Sequence, residues 1–595
     1  MNRHGADFWR RIFLLAAVSW LISGSPSLAN NDTWDTAVSG TWQTGSNWLD
    51  NSAPGNADEA TFNLAGTYTV TFNGTPFAIR ALTLTGAANV TFTSIGPFAG
   101  EVGTLRVNSG GTQDVLITNG TNLTLGTGSL INLKPLHLTV GDVLTVNTGS
   151  TLTVRSSSDV ITTNLTNSGQ LNVTGSGSTL NVSNPILINS GSLNVTAGGL
   201  VTGSSFASIG EVAGTITAAT VSGTGSQWNL SNALYVGDDA EGRLNITAGG
   251  KIQSLAGFVG LSDTAVGNVS VSGAGSQWNN STSLVIGFDG SGTLNVTGGG
   301  SVSSIDGVLG SSNGSNGTAT LTGGNWTMSG RLSVGGQEGS FFCCGQGTLD
   351  IQPAGTVNVA QGVLLLPDGL VRLRGGTLDT SAFSFQGGGQ FDWTSGTLHV
   401  GTFNGSLTNE SGVLAPGHSA GQTTIAGNYT QSPGAVLQIE IGGPLAVSQF
   451  DFVNVMGNAL IGGELELTLI NGFIPTAGQT FAILIADSVA GTFDNADNGQ
   501  RVLTSDGGGS FIVHYGVGST LDPAQIILTN FLPGLPGDCD DDNDVDLDDY
   551  VLFPNCLDGP GVPFGLVECN CIDCNTDDDV DLRDFADFQS GFTGP

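Results

Sequence analysis

Eight carboxylates crowd into the twelve residues Asp538 to Asp549, within the stretch GDCDDDNDVDLDDYVLF, while the whole chain holds only 14 Lys and Arg. Repulsion at that density opposes a compact state unless a cation sits among the side chains, and the protein's own basic residues are too few to supply it. Counted from Asp538, oxygen-bearing residues fall at places 1, 3, 5, 7, 9 and 12: Asp538, Asp540, Asp542, Asp544, Asp546 and Asp549. This is the spacing with which a twelve-residue loop wraps a hard cation of six to eight oxygen ligands, place 7 giving its backbone carbonyl. A second loop, DCNTDDDVDLRDF, fills the same places with Asp573, Asn575, Asp577, Asp579, Asp581 and Asp584, and place 8 is valine in both, Val545 and Val580. Two Ca²⁺ ions are the expected cofactor.

Something must hold the last ligand of each loop in place. After each loop an apolar i, i+3 or i+4 pattern begins, Leu547/Tyr550/Val551 and Leu582/Phe585/Phe588, predicting a short helix that buries one face. Place 6, where a sharp turn favours glycine, is Asn543 and Asp578, two residue types that tolerate the left-handed region. Pro554 cuts the first helix short, because proline removes a hydrogen bond and clashes with the preceding turn. Two Asp-rich loops, each followed by one short helix, resemble a type I dockerin over residues 536–595. The phrases NCLDGPG and DVDLRDFADFQSGFTGP look especially like the dockerin-like tails of planctomycete secreted proteins. That resemblance implies a calcium-dependent docking module in residues 531–595. Its partner would be a cohesin-like domain, a cell-envelope component or another copy of the chain. Place 12 is Asp rather than the Glu of ordinary EF-hands, a departure from that geometry.

The rest of the chain has a different chemistry. Its formal charge of -35 argues against nucleic acid or an anionic membrane as partner, and 17 of the acidic residues lie in the last 60 positions. Arg3, Arg10 and Arg11 precede the apolar run Ile12 to Ile22, and Ser27-Leu28-Ala29 offers small residues for cleavage, so residues 1–29 read as an export signal. No later run has the 18 apolar residues of a membrane span, and a secreted or cell-surface, extracytoplasmic location is expected. Seven cysteines suit that compartment: Cys343 and Cys344, then Cys539, Cys556, Cys569, Cys571 and Cys574 in the tail. Five tail cysteines leave one unpaired, with connectivity open. A zinc site on Cys569, Cys571 and Cys574 is the alternative.

Between these ends the chain repeats itself. VSGTGSQWNLSNALYVGDDAEGRLNITAGG, from Val221, and VSGAGSQWNNSTSLVIGFDGSGTLNVTGGG, from Val271, align at a period of 50, with Trp326 following Trp228 and Trp278. Shorter GxLxVxxGG units begin at Gly103, Gly191, Gly242 and Gly292, with a looser one at Gly347. Alternating four-residue strands between glycine turns, without helical patterning, predict an all-β, right-handed parallel β-solenoid of about 20 to 25 residues per coil. Leu244 and Ile246 should point inward, Asn245 and Thr247 outward, with Leu294/Val296 and Asn295/Thr297 stacked one repeat later. Trp228 and Trp278 should pack at a coil corner, an exposed ladder for sugar rings being the alternative. These repeats resemble those of type V secretion passengers and PEP-CTERM surface proteins. The opening segment with Trp34, Trp42 and Trp48 resembles their usual start, a cap on the first coil, and Gly412 to Gly443 resembles the end of autotransporter passenger stalks. The expected organisation is a signal at 1–29, a β cap at 30–100, the solenoid at 101–435, a second β cap at 436–530 and the calcium module at 531–595.

Catalysis on such a scaffold needs convergent acids or a nucleophile with its base. The best cluster in the body, Asp238, Asp239 and Glu241 beside Arg243, reads as a solvated turn, and its counterpart one repeat later keeps Asp289 but has Phe288 and Ser291. The histidines His137, His399, His418 and His514 are scattered singly. The expectation is a non-catalytic structural or adhesive stalk. The alternative is a carbohydrate-active or carbohydrate-binding β-helix, with a polysaccharide as its partner.

Overall fold

The computed structural model describes residues 31–595 apart from 56–57, 73–76, 80, 85–87, 96–102, 108–114, 118–121, 126–132, 135, 156, 337–344, 419, 535–536, 540–544, 548, 558, 563–568, 570, 575–578 and 593–595. The proposed signal and Cys343 and Cys344 lie outside the described residues. Two compact units follow: one reaches Arg372 and includes Phe385–Asp392, the other comprises Leu373–Ser384 and the chain from Trp393.

In the first unit parallel strands stack with a regular step. Ile216–Ser222 pairs with Glu241–Thr247, which pairs with Val266–Ser272, then Ser291–Thr297, then Asn316–Thr322. The starting residues 216, 241, 266, 291 and 316 differ by 25 each time. Each coil adds a second strand, such as Gln227–Leu230, and a short third one, such as Leu234–Val236, which stack in the same parallel sense. The fold is therefore mostly β and solenoid-like, with three strands per coil. The 50-residue sequence repeat is two coils rather than one. Leu244 and Ile246 point inward at 0% exposure, as their alternation requires, but Val269 and Val271 stand between them and Leu294 and Val296.

Packing explains why the sequence repeats every second coil. Trp228, Trp278 and Trp326 project inward from the middle of the second strand, not from a corner, and Ile252 and Val302 occupy that place in the coils between. All five are 0% exposed, so no indole ladder faces solvent. An indole needs more space than one coil spacing of about 4.8 Å provides, and the neighbouring coil supplies it by omitting a side chain. A Cβ on Gly257 would lie 2.5 Å from Cζ2 of Trp278, and one on Gly307 would lie 2.9 Å from Cζ2 of Trp326. The Trp278 and Trp326 indole N–H groups donate to the hydroxyls of Ser254 (3.1 Å) and Ser304 (3.2 Å). At the corresponding place below Trp228 stands Gly203, and that indole N–H has no partner.

The same ladder logic reaches back to Asn31–Thr33, which pairs in parallel with Glu59–Phe62. Here Trp34, Trp42 and Trp48 are each 1% exposed: Trp48 packs edge to face against Trp34, Trp42 and Phe62, and Trp42 stacks on Phe72. In the second unit Val436–Ile441 pairs in parallel with Glu464–Leu469, and a four-stranded parallel sheet joins Leu407–Asn409, Tyr429–Gln431, Asn458–Ile461 and Ser488–Gly491. Pairing then turns antiparallel: Phe481–Ile485 with Gln525–Pro533, and the latter with Gly509–His514. That change of sense satisfies donors and acceptors that a bare last coil would expose.

Candidate metal centre

The tail builds its site on very little core. Val545, Phe553, Cys556, Cys569, Ile572, Val580 and Phe588 form one buried cluster. The two place-8 valines thus anchor both loops to a common interior, at 1% and 0% exposure. Disulfides Cys539–Cys571 and Cys556–Cys569 staple it, and Cys574 is left as a thiol. This pairing removes the zinc alternative, since two of its three sulfurs are oxidised. Burial, together with the carboxylates of Asp584, Asp587 and Asp573, pushes the Cys574 thiol up to about 12.

The ends of the two loops mirror each other. The Asp546 N–H donates to Asp549 (2.7 Å) and the Asp581 N–H donates to Asp584 (2.8 Å), so in each loop the place-9 amide holds the place-12 carboxylate. Asp549 and Asp584 are buried at 1% and 0% exposure. In the second loop Asp581 also caps the helix Leu582–Gly591, accepting from the Arg583 N–H (2.6 Å). The first loop leads only into a 3-10 turn, Asp549–Leu552, and a single helical turn, Phe553–Cys556, which contains Pro554.

Asp579, Asp581 and Asp584, all buried, each bring one carboxylate oxygen to within 4.8 Å of the others. Oxygens that share a calcium ion at about 2.4 Å lie no more than about 4.8 Å apart, and this group meets that limit. Oδ1 of Asp579 is buried without a hydrogen-bond partner, an arrangement costly for a carboxylate unless a cation takes it up. These residues fit a hard divalent cation. Asp573, at 7% exposure, is buried beside the group without belonging to it, while Asp538 and Asp546 are half-buried. Asp540, Asp542, Asp544, Asn575 and Asp577 lie outside the described residues.

One part of the helix reading needs correction. Leu547, Val551 and Leu582 do not bury a face but stand 62%, 65% and 74% exposed. Phe588 packs as the pattern predicts, with Phe585 half-buried against the same core, while after the first loop Phe553 packs in place of Val551, because the 3-10 turn Asp549–Leu552 takes it off the helical period. The result is an open apolar depression of about 480 Å³ lined by Leu547, Tyr550, Phe585, Phe588, Gln589 and Phe592. Spacing alone missed this surface, and it missed the side chain of Asp579, read only as a backbone ligand.

Elsewhere the acidic turn of the body is tied down rather than solvated. Asp238 is 3% exposed and accepts from the Ser208 hydroxyl (2.9 Å), Asp239 accepts from Ser262 (2.8 Å), and Glu241 pairs with Arg243 (2.7 Å). Asp238 and Asp239 are engaged with the neighbouring coils, and Glu241 with Arg243 on its own strand. Among the described residues no helix is long and apolar enough to cross a membrane. No protein-family model matches the chain, and no curated protein is similar to it.

Proposed function

We propose that this is an extracytoplasmic structural or adhesive stalk protein, non-catalytic, whose C-terminal module is organised by two calcium ions and docks it to a partner. The observation that carries the reading is the tail, where buried carboxylates at matching loop places adjoin an exposed apolar depression. Asp538, Asp540, Asp542, Asp544, Asp546 and Asp549 would hold one ion, and Asp573, Asn575, Asp577, Asp579, Asp581 and Asp584 the other. Calcium supplies the positive charge that lets these carboxylates share a small volume. Loop closure then sets the place-12 aspartates and the helical segments that contain them, next to which Leu547, Tyr550 and Phe592 stand exposed. An apolar surface on so acidic a tail suits a cohesin-like or cell-envelope protein that offers an apolar protrusion among basic residues. The body supports a scaffold role: outward residues form neutral ladders, such as Asn194 donating to Asn172 (2.9 Å) and Thr247 to Ser222 (3.0 Å).

Calorimetry on the full mature chain with intact disulfides tests the reading. Two calcium ions per chain are expected, one lost with Asp538→Ala and one with Asp573→Ala, and plant, algal and bacterial polysaccharides should stay intact in its presence. No binding at millimolar calcium, or an equal response to Mg²⁺, would overturn the site. Cleavage of a polysaccharide abolished by one substitution in the body would favour the carbohydrate-active alternative.

A further inference from the structure

Place 7 of an EF-hand-like loop contributes a backbone carbonyl, and its side chain is free to face elsewhere. In the second loop the Asp579 side chain is 7% exposed and lies with those of Asp581 and Asp584. Its two oxygens have different surroundings. Oδ2 accepts the Gly561 N–H, while Oδ1 is buried with no hydrogen-bond partner, on a side chain that brings a carboxylate oxygen to the Asp581 and Asp584 group. The neighbouring Val580 carbonyl accepts the Gly559 N–H (3.2 Å), so the turn at Gly559–Gly561 is held twice by the loop. Both glycines have positive φ, +94° and +73°, which makes that turn one a larger residue would strain.

We propose that the Asp579 carboxylate is itself a direct calcium ligand, through Oδ1, and that through Oδ2 it latches the Gly559–Gly561 turn to the ion site. The proposal rests on the reading of the tail as a calcium module and adds to it a ligand outside the usual set. Asp579, Asp581 and Asp584 each turn one oxygen to a backbone N–H, and the second oxygen of Asp579, Oδ1, is buried with no hydrogen-bond partner. Filling the second loop therefore also fixes the turn that follows Cys556 and precedes its disulfide partner Cys569.

The test compares wild type with Asp579→Asn in the full mature chain. Asparagine keeps the shape and an oxygen for Gly561 but removes the charge. Calcium calorimetry should show one of two ions bound roughly tenfold or more weakly in the variant, the other unchanged. Hydrogen exchange at the Gly561 amide should reach its calcium-saturated protection only at correspondingly higher calcium. A variant that binds both ions as wild type does would overturn the proposal and leave the calcium reading standing. A variant whose far-UV circular dichroism stays non-native at saturating calcium would also overturn it, making Asp579 a structural acceptor. Absence of calcium binding in the wild type would instead sink the loop reading itself.

Discussion

Asp451 shows how one side chain can hold a loop against its own preference for water. Its Oδ1 accepts the Gly421 N–H (2.6 Å) and its Oδ2 the Glu440 N–H (2.9 Å), which ties the segment before Gln422–Ile425 to the strand Val436–Ile441. Burial pushes its carboxyl up to about 7, the nearby Glu440 charge adds to the rise, and the two N–H donors offset part of it. A carboxyl raised above its unfolded value of 3.8 stabilises fully below that value, and this contribution is lost as pH rises through about 7. Asp451→Asn removes the titration. Thermal midpoints of both chains at pH 4.5 and pH 8 should therefore shift relative to each other in the variant's favour at the higher pH. A difference between the two chains that does not change with pH would show that Asp451 does not titrate in that window.

At the scale of the coil, stability depends on alternating bulk. Trp278 fills space that Gly257 leaves in the preceding coil, with Leu284 and Asn280 also within 2.8 Å of where a Cβ would be. Gly257→Ala should cost about 1 to 3 kcal/mol through overpacking, and Trp278→Val several kcal/mol through the cavity it leaves. In the double variant the two costs should be less than additive, since the valine vacates the volume that the new methyl enters. Urea unfolding of the four chains reads this coupling. Strict additivity would mean that the 50-residue period has some cause other than this contact.

Across the molecule the two chemistries separate. The body is built from stacked strands with aliphatic and aromatic interiors. The tail has seven buried core residues, two disulfides and most of its acidic charge in two loops. A core that small depends on its staples, and the binding energy of a metal in such a module is largely folding energy. Limited proteolysis in EDTA should therefore cut first within residues 531–595 and leave a resistant fragment ending near Pro533, while calcium should protect the tail. Equal digestion of body and tail, or a tail indifferent to calcium, would contradict this division.

The residues themselves determined the period-2 alternation and the inward Leu244 and Ile246, because each depends on spacing along the chain. Coil length was legible only as a range, about 20 to 25 residues, which the step of 25 meets. A two-coil sequence repeat conceals its half-period wherever the intervening coil, with Ile252 and Gly257, has a different composition from the one with Trp228 and Leu234. Tertiary structure alone decided that the tryptophans lie mid-strand over an absent side chain, since that is a contact between residues a coil apart. It also decided the pairing of Cys539 with Cys571, the burial of Asp238, and the exposure of Leu547 and Leu582. The orientation of Asp579 belongs with these: its position in the loop names a backbone ligand, and only packing against Gly561, Asp581 and Asp584 turns its carboxylate inward.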